Sequence, residues 1–126
     1  MSVLIDSDVL IEVSRARNDE ILAAWRRLAN SDQVLLCSPV TVAELWHGAK
    51  PAEYNTLNAL FSTLLCPPID HETGRVAGDF LRTYRKSHGV ELGDALIASG
   101  AQLHDAELWT RNRKHYPMRG LRFFEP

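Results

Sequence analysis

The stretch VLIDSDVLIEV, residues 3–13, decides the fold class expected of this 126-residue chain. Its first three residues form a short apolar run that is typical of a buried strand, and the run ends at Asp6. Residues 7–14 then show the pattern of a short helix, so the strand passes directly into a helix. A carboxylate at the tip of a core strand is costly to bury unless it has a partner. We therefore expect Asp6 to have a specific role, either as a helix cap or as a ligand.

The rest of the chain continues this alternation of short apolar strands and longer amphipathic helices. Further strands are predicted at residues 33–38, 106–110 and 121–125, and residues 66–70 are expected to form a short strand or an extended piece limited by their two prolines. Further helices are predicted at residues 18–31, 39–48, 53–65, 71–89 and 93–104. Alternating strands and helices favour parallel pairing. We expect one domain spanning residues 1–126, an α/β protein built as a three-layer α/β/α sandwich around a central, mostly parallel sheet of four to five strands.

The composition is that of an ordinary globular protein, with 45% hydrophobic and 24% charged residues. Because the formal net charge is −2, an anionic partner would have to be met by a local patch or through a bound cation. No apolar stretch is long enough for a membrane span and no signal segment is recognised, so a cytoplasmic protein without membrane contact is expected. Cys37 and Cys66 end apolar runs without CxxC spacing and are predicted to be buried free thiols.

Three acidic residues lie where a parallel sheet would hold a ligand, beyond the carboxyl ends of its strands. Asp6 and Asp94 could each be no more than an N-cap, and Glu44 could be a solvated helix residue. If the three converge, their charges repel one another, and a divalent cation removes that penalty. Oxygen ligands without a neighbouring cysteine or a histidine pair favour Mg²⁺ or Mn²⁺ over Zn²⁺.

Four segments, taken together, resemble the PIN-domain ribonucleases, and specifically the VapC-like toxins of type II toxin–antitoxin pairs. They are LIDSDVLIEV at 4–13, SPVTVAELWHG at 38–48, LGDALIAS at 92–99 and LWTRNRKHYP at 108–117. Their order and spacing match the family over almost the whole chain, whereas any single segment would be a weak signal. The resemblance implies metal-dependent hydrolysis of RNA phosphodiester bonds, with water as the nucleophile and products that end in 5′-phosphate and 3′-hydroxyl.

The resemblance also assigns roles to individual residues. It implies that Asp6, Glu44 and Asp94 are catalytic residues that hold Mg²⁺, for which Mn²⁺ substitutes. Asn112 falls where many members have a fourth catalytic acid, and a neutral amide there can bond a metal-bound water but adds no charge. Thr110 matches the hydroxyl residue that orders the carboxylates.

Other residues near these segments receive secondary roles. Asp8 and Glu91 are expected to be capping or surface residues, and Trp46 and Tyr116 are expected to pack in the core rather than stack on bases. Basic residues crowd the segment that follows the 106–110 strand. The cations placed to meet RNA phosphates are Arg111, Arg113 and Lys114.

The expected partners are an RNA substrate, a cognate antitoxin protein and a second copy of the chain in a homodimer. Two other interpretations remain open. One is a PIN nuclease that matures RNA and has no antitoxin. The other is a non-catalytic binding module, in which the acids cap helices or bind the arginines of a partner.

Overall fold

The computed structural model describes residues 1–126 and contains a parallel sheet of three strands. The strands are β1 (Ser2–Ile5), β2 (Val34–Leu36) and β3 (Ala106–Trp109), in the spatial order β2-β1-β3. Leu4 in the central strand lies opposite Leu36 on one side and Leu108 on the other. The predicted α/β class with parallel pairing is confirmed.

Six helices cover the two faces of this sheet. They are α1 (Ser7–Arg15), α2 (Asp19–Ala29), α3 (Pro39–Gly48), α4 (Tyr54–Ser62), α5 (His71–His88) and α6 (Leu92–Leu103). Val3 and Ile5 of β1 pack in a core with residues of α1, α2 and α4, whereas Leu4 packs with residues of α5 and α6. Since neighbouring residues of a strand point to opposite faces, the three-layer arrangement follows from the alternation within β1.

Residues 66–70 do not form a strand of the sheet. Pairing beside β2 is limited to a single bridge between Leu36 and Leu65. Pro67 and Pro68 follow directly and have no N–H to donate to a ladder, so the pairing stops there.

The predicted strand at 121–125 is likewise reduced to one bridge, between Leu108 and Phe123. The N–H of Leu108 donates to Arg122 and the N–H of Phe124 donates to Leu108, at 2.8 and 2.9 Å, and no further ladder forms. The sheet therefore has three strands rather than four to five, with single bridges that add Leu65 beside β2 and Phe123 beside β3.

Two strands pass directly into helices through a polar cap. Asp6 is the N-cap of α1, and its Oδ1 accepts the N–H of Ser7 at 2.8 Å. Ser38 caps α3 with Pro39 at the first helical position, as the sequence predicts. These connections place the first turns of α1 and α3 next to each other beyond the carboxyl ends of β1 and β2.

Both cysteines are free thiols, as predicted, but only Cys37 is buried. Cys66 is exposed because the chain leaves the sheet at this point and turns outward through the two prolines. No helix has the length and apolar character needed to cross a membrane.

Candidate active site

An open cleft of about 600 Å³ lies beyond the carboxyl ends of β1 and β3. It contains all four residues predicted to be catalytic, contributed by the ends of two strands and by helices α3 and α6. Those four are Asp6, Glu44, Asp94 and Asn112. Asp8 and Glu91 bring the number of carboxylates in the lining to five, and Ile97 is the one apolar side chain. The chain therefore builds a concentrated negative surface at the place where parallel sheets hold ligands.

Asp6 is the most enclosed of these acids, with 8% of its surface exposed. Its Oδ1 accepts the backbone N–H of Ser7, and its Oδ2 accepts the hydroxyls of Thr110 and Tyr116, both at 2.9 Å. Three donors offset the cost of burying the carboxylate. The cap and ligand interpretations are thus compatible, because Asp6 caps α1 and also lines the cleft.

Thr110 follows β3 and lies between the two N-terminal aspartates. Its Oγ1 is 2.9 Å from Asp6 Oδ2 and 3.4 Å from Asp8 Oδ2, and it accepts the backbone N–H of Asn112 at 3.1 Å. This is the position that the predicted ordering role requires. The same turn fixes the backbone of Asn112 at the cleft edge.

Ser7 orients Glu44, which sequence reasoning did not anticipate. The Ser7 hydroxyl is 2.7 Å from Glu44 Oε1 and 3.0 Å from the hydroxyl of the buried Thr41. Glu44 is otherwise exposed on α3, so this contact is what connects it to α1. The only signal in the sequence was the placement of a serine between two aspartates, and that pattern also suits an ordinary helix cap.

Asp94 lies in the first turn of α6, and its carboxylate faces His115. Its Oδ2 accepts the N–H of Glu91 at 3.4 Å, and its Oδ1 is 3.9 Å from Nδ1 of His115. His115 Nε2 is 3.1 Å from the side-chain nitrogen of Asn112. Burial raises the pKa of Asp94 above its ordinary value. His115 was not among the predicted site residues, and its place in the RNRKHYP segment gave no chemical reason to select it.

The expectation that Asp8 is a capping or surface residue is wrong. Asp6 occupies the cap position, and Asp8 is half-buried in the first turn of α1, where its Oδ2 accepts the N–H of Arg111 at 3.1 Å. Its Oδ1 is buried and has no hydrogen-bond partner. Burial, followed by the negative charge of Asp6, raises the pKa of Asp8 to about 6. Glu91 is exposed at the N-cap position of α6, as expected.

The two aromatic side chains predicted to pack in the core do so to different degrees. Trp46 is partly buried and lies 5.3 Å from the ring of Tyr54. Tyr116 is 3% exposed, and burial raises the pKa of its phenol. Its hydrogen bond to Asp6 was not predicted, because nothing in the local sequence brings residue 116 back to residue 6.

The three basic residues predicted to meet RNA differ in their present contacts. Arg113 pairs with Glu125 at 2.7 Å, and its guanidinium lies 4.7 Å from the centre of the Phe123 ring. Arg111 is 3.7 Å from Glu12, whereas Lys114 is exposed and forms no ion pair. Lys114 is therefore the cation of this group that is available without breaking an existing pair.

The side chains in the cleft fit a hard divalent cation by type. Carboxylate oxygens are ligands that Mg²⁺ and Mn²⁺ prefer, and five carboxylates line the cleft. One of their oxygens, Oδ1 of Asp8, is buried and has no hydrogen-bond partner. No three carboxylate, histidine or cysteine side chains already stand in a common coordination geometry. Asp6, Glu44 and Asp94 would thus hold such an ion after side-chain adjustment or partly through water.

The sequence profile of the PIN domain matches residues 3–121. The chain belongs to the PIN-domain family, and its relatives are of the VapC type. Ribonuclease VapC10 of Mycobacterium tuberculosis is 40% identical over 119 residues, which cover 92% of this chain and 86% of that protein. Ribonuclease VapC19 of the same species is 33% identical over 113 residues, which cover 88% of this chain and 90% of that protein.

Solved structures show the same fold. The crystal structure of VapBC2 from Rickettsia felis bound to a promoter DNA fragment is matched with a TM-score of 0.83 at 23% identity, over 98% of each chain. A toxin–antitoxin complex from Klebsiella pneumoniae is matched with a TM-score of 0.73 at 26% identity, over 94% of this chain and 92% of that one. The sequence resemblance to PIN-domain, VapC-like toxins is confirmed.

Proposed function

We propose that this protein is a Mg²⁺-dependent endoribonuclease that hydrolyses RNA phosphodiester bonds and acts as the toxin of a toxin–antitoxin pair. The observation that carries the proposal is the convergence of Asp6, Glu44 and Asp94 in one cleft. Its support from relatives is the 40% identity to a ribonuclease over nearly the whole chain.

In this mechanism a Mg²⁺ ion, when bound, supplies a water of lowered pKa and stabilises the charge that develops on the phosphate. The protein's own residues hold and orient the carboxylates. Asp6 is fixed by Ser7 N–H and by the Thr110 hydroxyl, and Glu44 is fixed by the Ser7 hydroxyl. Such support keeps the carboxylates in place as the phosphate arrives.

The RNA backbone has to approach a negative cleft, so cations at its edge are needed. Lys114 is free to contact a phosphate, and Arg111 is held only by a long ion pair with Glu12. Arg113 would first have to leave Glu125. We assign phosphate contact mainly to Lys114 and Arg111.

The activity is tested with purified protein and labelled RNA in the presence of Mg²⁺. Asp6→Asn and Asp94→Asn should each lower the cleavage rate by about 100-fold or more, since each removes a charge that the cation requires. Asp32→Asn is the matched control, because Asp32 is exposed and outside the cleft. Undiminished cleavage in excess EDTA would contradict the proposal.

The product ends test the chemistry separately. Attack by water leaves a 5′-phosphate, so the downstream fragment should accept a ligation that requires this group. Fragments that end in a 2′,3′-cyclic phosphate would instead indicate attack by the ribose hydroxyl and would contradict hydrolysis at a metal site.

The toxin role and the partners rest on the relatives. The Klebsiella pneumoniae structure is a toxin–antitoxin complex at 26% identity, which supports a protein antitoxin for this chain. We propose that the chain also forms a homodimer. Induction should arrest growth, and co-expression of the cognate antitoxin should relieve the arrest. Light scattering should give twice the mass of one chain; absence of toxicity would favour a PIN nuclease that acts without an antitoxin.

A further inference from the structure

Tyr116 is a buried aromatic residue whose hydroxyl has a single polar partner. The residue is 3% exposed and belongs to the core between the sheet and helices α5 and α6. Its hydroxyl donates to Asp6 Oδ2 at 2.9 Å, across 110 positions of the sequence. A phenylalanine would fill the same volume, so packing alone does not require the hydroxyl.

The chain turns back sharply to make this contact. After β3 and Thr110, a short 3-10 turn at Arg113–His115 reverses the direction, and the N–H of Tyr116 closes it by donating to Arg113 at 2.9 Å. This turn places Tyr116 in the core cluster that also contains Leu108 of β3 and Ile97, the apolar side chain of the cleft lining. The surrounding structure thus fixes the phenol before any ligand binds.

The two oxygens of Asp6 are used unequally. Oδ2 accepts two hydroxyls, from Thr110 and Tyr116, each at 2.9 Å, while Oδ1 accepts only the N–H of Ser7. A carboxylate oxygen has two lone pairs in its plane, so two donors saturate Oδ2. The remaining acceptor capacity of the carboxylate is on Oδ1.

We propose that Tyr116 is a positioning residue of this site: together with Thr110 it holds Asp6 Oδ2, so that Oδ1 is the oxygen offered to a divalent cation. The inference rests on the proposed function, since it assigns a role toward the cation of that same site. Tyr116 itself touches neither cation nor RNA. It acts by limiting the rotation of the Asp6 carboxylate, so that the oxygen with remaining acceptor capacity keeps one orientation.

The test compares Tyr116→Phe with Tyr84→Phe. Tyr84 is a suitable control because its hydroxyl, on α5 and outside the cleft, accepts the backbone N–H of Arg119 at 3.1 Å. Mn²⁺ binding is measured by calorimetry on metal-free protein without RNA. Loss of a hydrogen bond to a ligating residue typically weakens metal binding by about 10- to 100-fold. Tyr116→Phe should therefore raise the Kd for Mn²⁺ by about tenfold, and Tyr84→Phe should leave it unchanged.

A double-mutant cycle separates positioning from general stability. Because Tyr116 acts through Asp6, adding Tyr116→Phe to Asp6→Asn should cause no further loss of Mn²⁺ affinity. Thermal unfolding in EDTA is recorded for each variant. A lower Tm with unchanged Mn²⁺ affinity, or an equal loss of affinity with and without Asp6, would overturn the inference.

The outcomes for the two proposals are distinguishable. If the wild-type protein binds Mn²⁺ and cleaves RNA while Tyr116→Phe binds Mn²⁺ equally well, the positioning role alone is overturned. If the wild-type protein neither binds Mn²⁺ nor cleaves RNA, the proposed function falls and the inference falls with it.

Discussion

Two aspartates separated by one residue have opposite electrostatic situations. Asp6 is enclosed and accepts three hydrogen bonds, whereas Asp8 has one oxygen bound by Arg111 N–H and one buried oxygen without a partner. Each lies close enough to the other for their charges to repel, and that repulsion adds to the burial of Asp8. Asp8 therefore carries a free-energy cost at neutral pH that Asp6 largely avoids, and a bound cation would reduce it.

Asp8→Asn should stabilise the metal-free protein at neutral pH. The pKa of Asp8 is about 6 in the fold against an ordinary value of 3.8, so the folded state binds the proton more tightly. The wild-type protein consequently loses stability as the pH rises from about 4 to about 6. After allowance for the partial exposure of Asp8, the variant should be more stable by about 1 kcal/mol at pH 7.5 and by nearly nothing at pH 4.

Urea unfolding in EDTA at the two pH values measures this difference. Asp32→Asn is the control, because it removes an exposed carboxylate that is not in the cleft. An Asp8→Asn variant that is less stable than wild type at pH 7.5, or equally shifted at both pH values, would show that Asp8 is not strained by its charge.

At the scale of elements, the sequence predicts the positions of helices more securely than the strands at the sheet margins. Ser38 before α3 and Gly89 after α5 are local signals, and the two helices lie close to the predicted ranges 39–48 and 71–89. The segments at 66–70 and 121–125 have apolar residues suited to strands, yet pairing there is limited to single bridges at Leu65 and Phe123. Pairing at an edge depends on how a neighbouring strand ends, and a local pattern does not contain that information.

The same distinction explains the site. Asp6, Glu44 and Asp94 could be proposed from motifs, and the fold brings them into one cleft. The contacts of Ser7 with Glu44 and of Tyr116 with Asp6 span 37 and 110 positions and depend on tertiary packing. Supporting hydrogen bonds of this kind are visible only once the elements are assembled.

Two glycines of α5 and its C-terminal cap should respond in opposite ways to substitution by alanine, one lowering and the other raising the stability of the protein. Gly89 terminates the helix with φ +67°, a conformation that costs an L-residue energy, so Gly89→Ala should destabilise the protein by about 1 kcal/mol. Gly78 lies within the helix, with nothing within 4 Å of an added Cβ, so Gly78→Ala should stabilise it by about 0.5–1 kcal/mol. Chemical denaturation measures both, and equal signs would contradict the argument.

The segment after β3 should divide into a structural arginine and a ligand-binding lysine. Arg113→Ala removes the pair with Glu125 and the contact with Phe123, and should lower stability by about 1 kcal/mol. Lys114→Ala removes a cation that has no such contacts, so it should leave stability unchanged and weaken RNA binding in low salt. Fluorescence anisotropy with a catalytically inactive Asp94→Asn background measures the binding. Weaker binding from Arg113→Ala alone would reverse the assignment.

At the scale of the whole molecule, charge is distributed unevenly over a chain with a net charge of only −2. Five of the acidic side chains line one cleft, while several arginines elsewhere are neutralised by acids, as Arg122 is by Asp105. The cleft is thus a local concentration of negative charge, with no lysine or arginine in its lining. A divalent cation bound there would add stability to the folded state alone, since the unfolded chain separates these acids.

Mn²⁺ should therefore raise the Tm of EDTA-treated protein, and it should do so through the cleft. At ten times the Kd the added stability is about 1.4 kcal/mol, which corresponds to roughly 5 °C for a domain of this size. Asp94→Asn should lose most of this increase, whereas Asp32→Asn should keep it. NaCl at matched ionic strength controls for screening of the repulsion, which requires no coordination. If NaCl raised the Tm as much as Mn²⁺, or if Asp94→Asn responded to Mn²⁺ like the wild type, the stabilisation would not come from an ion held by these carboxylates.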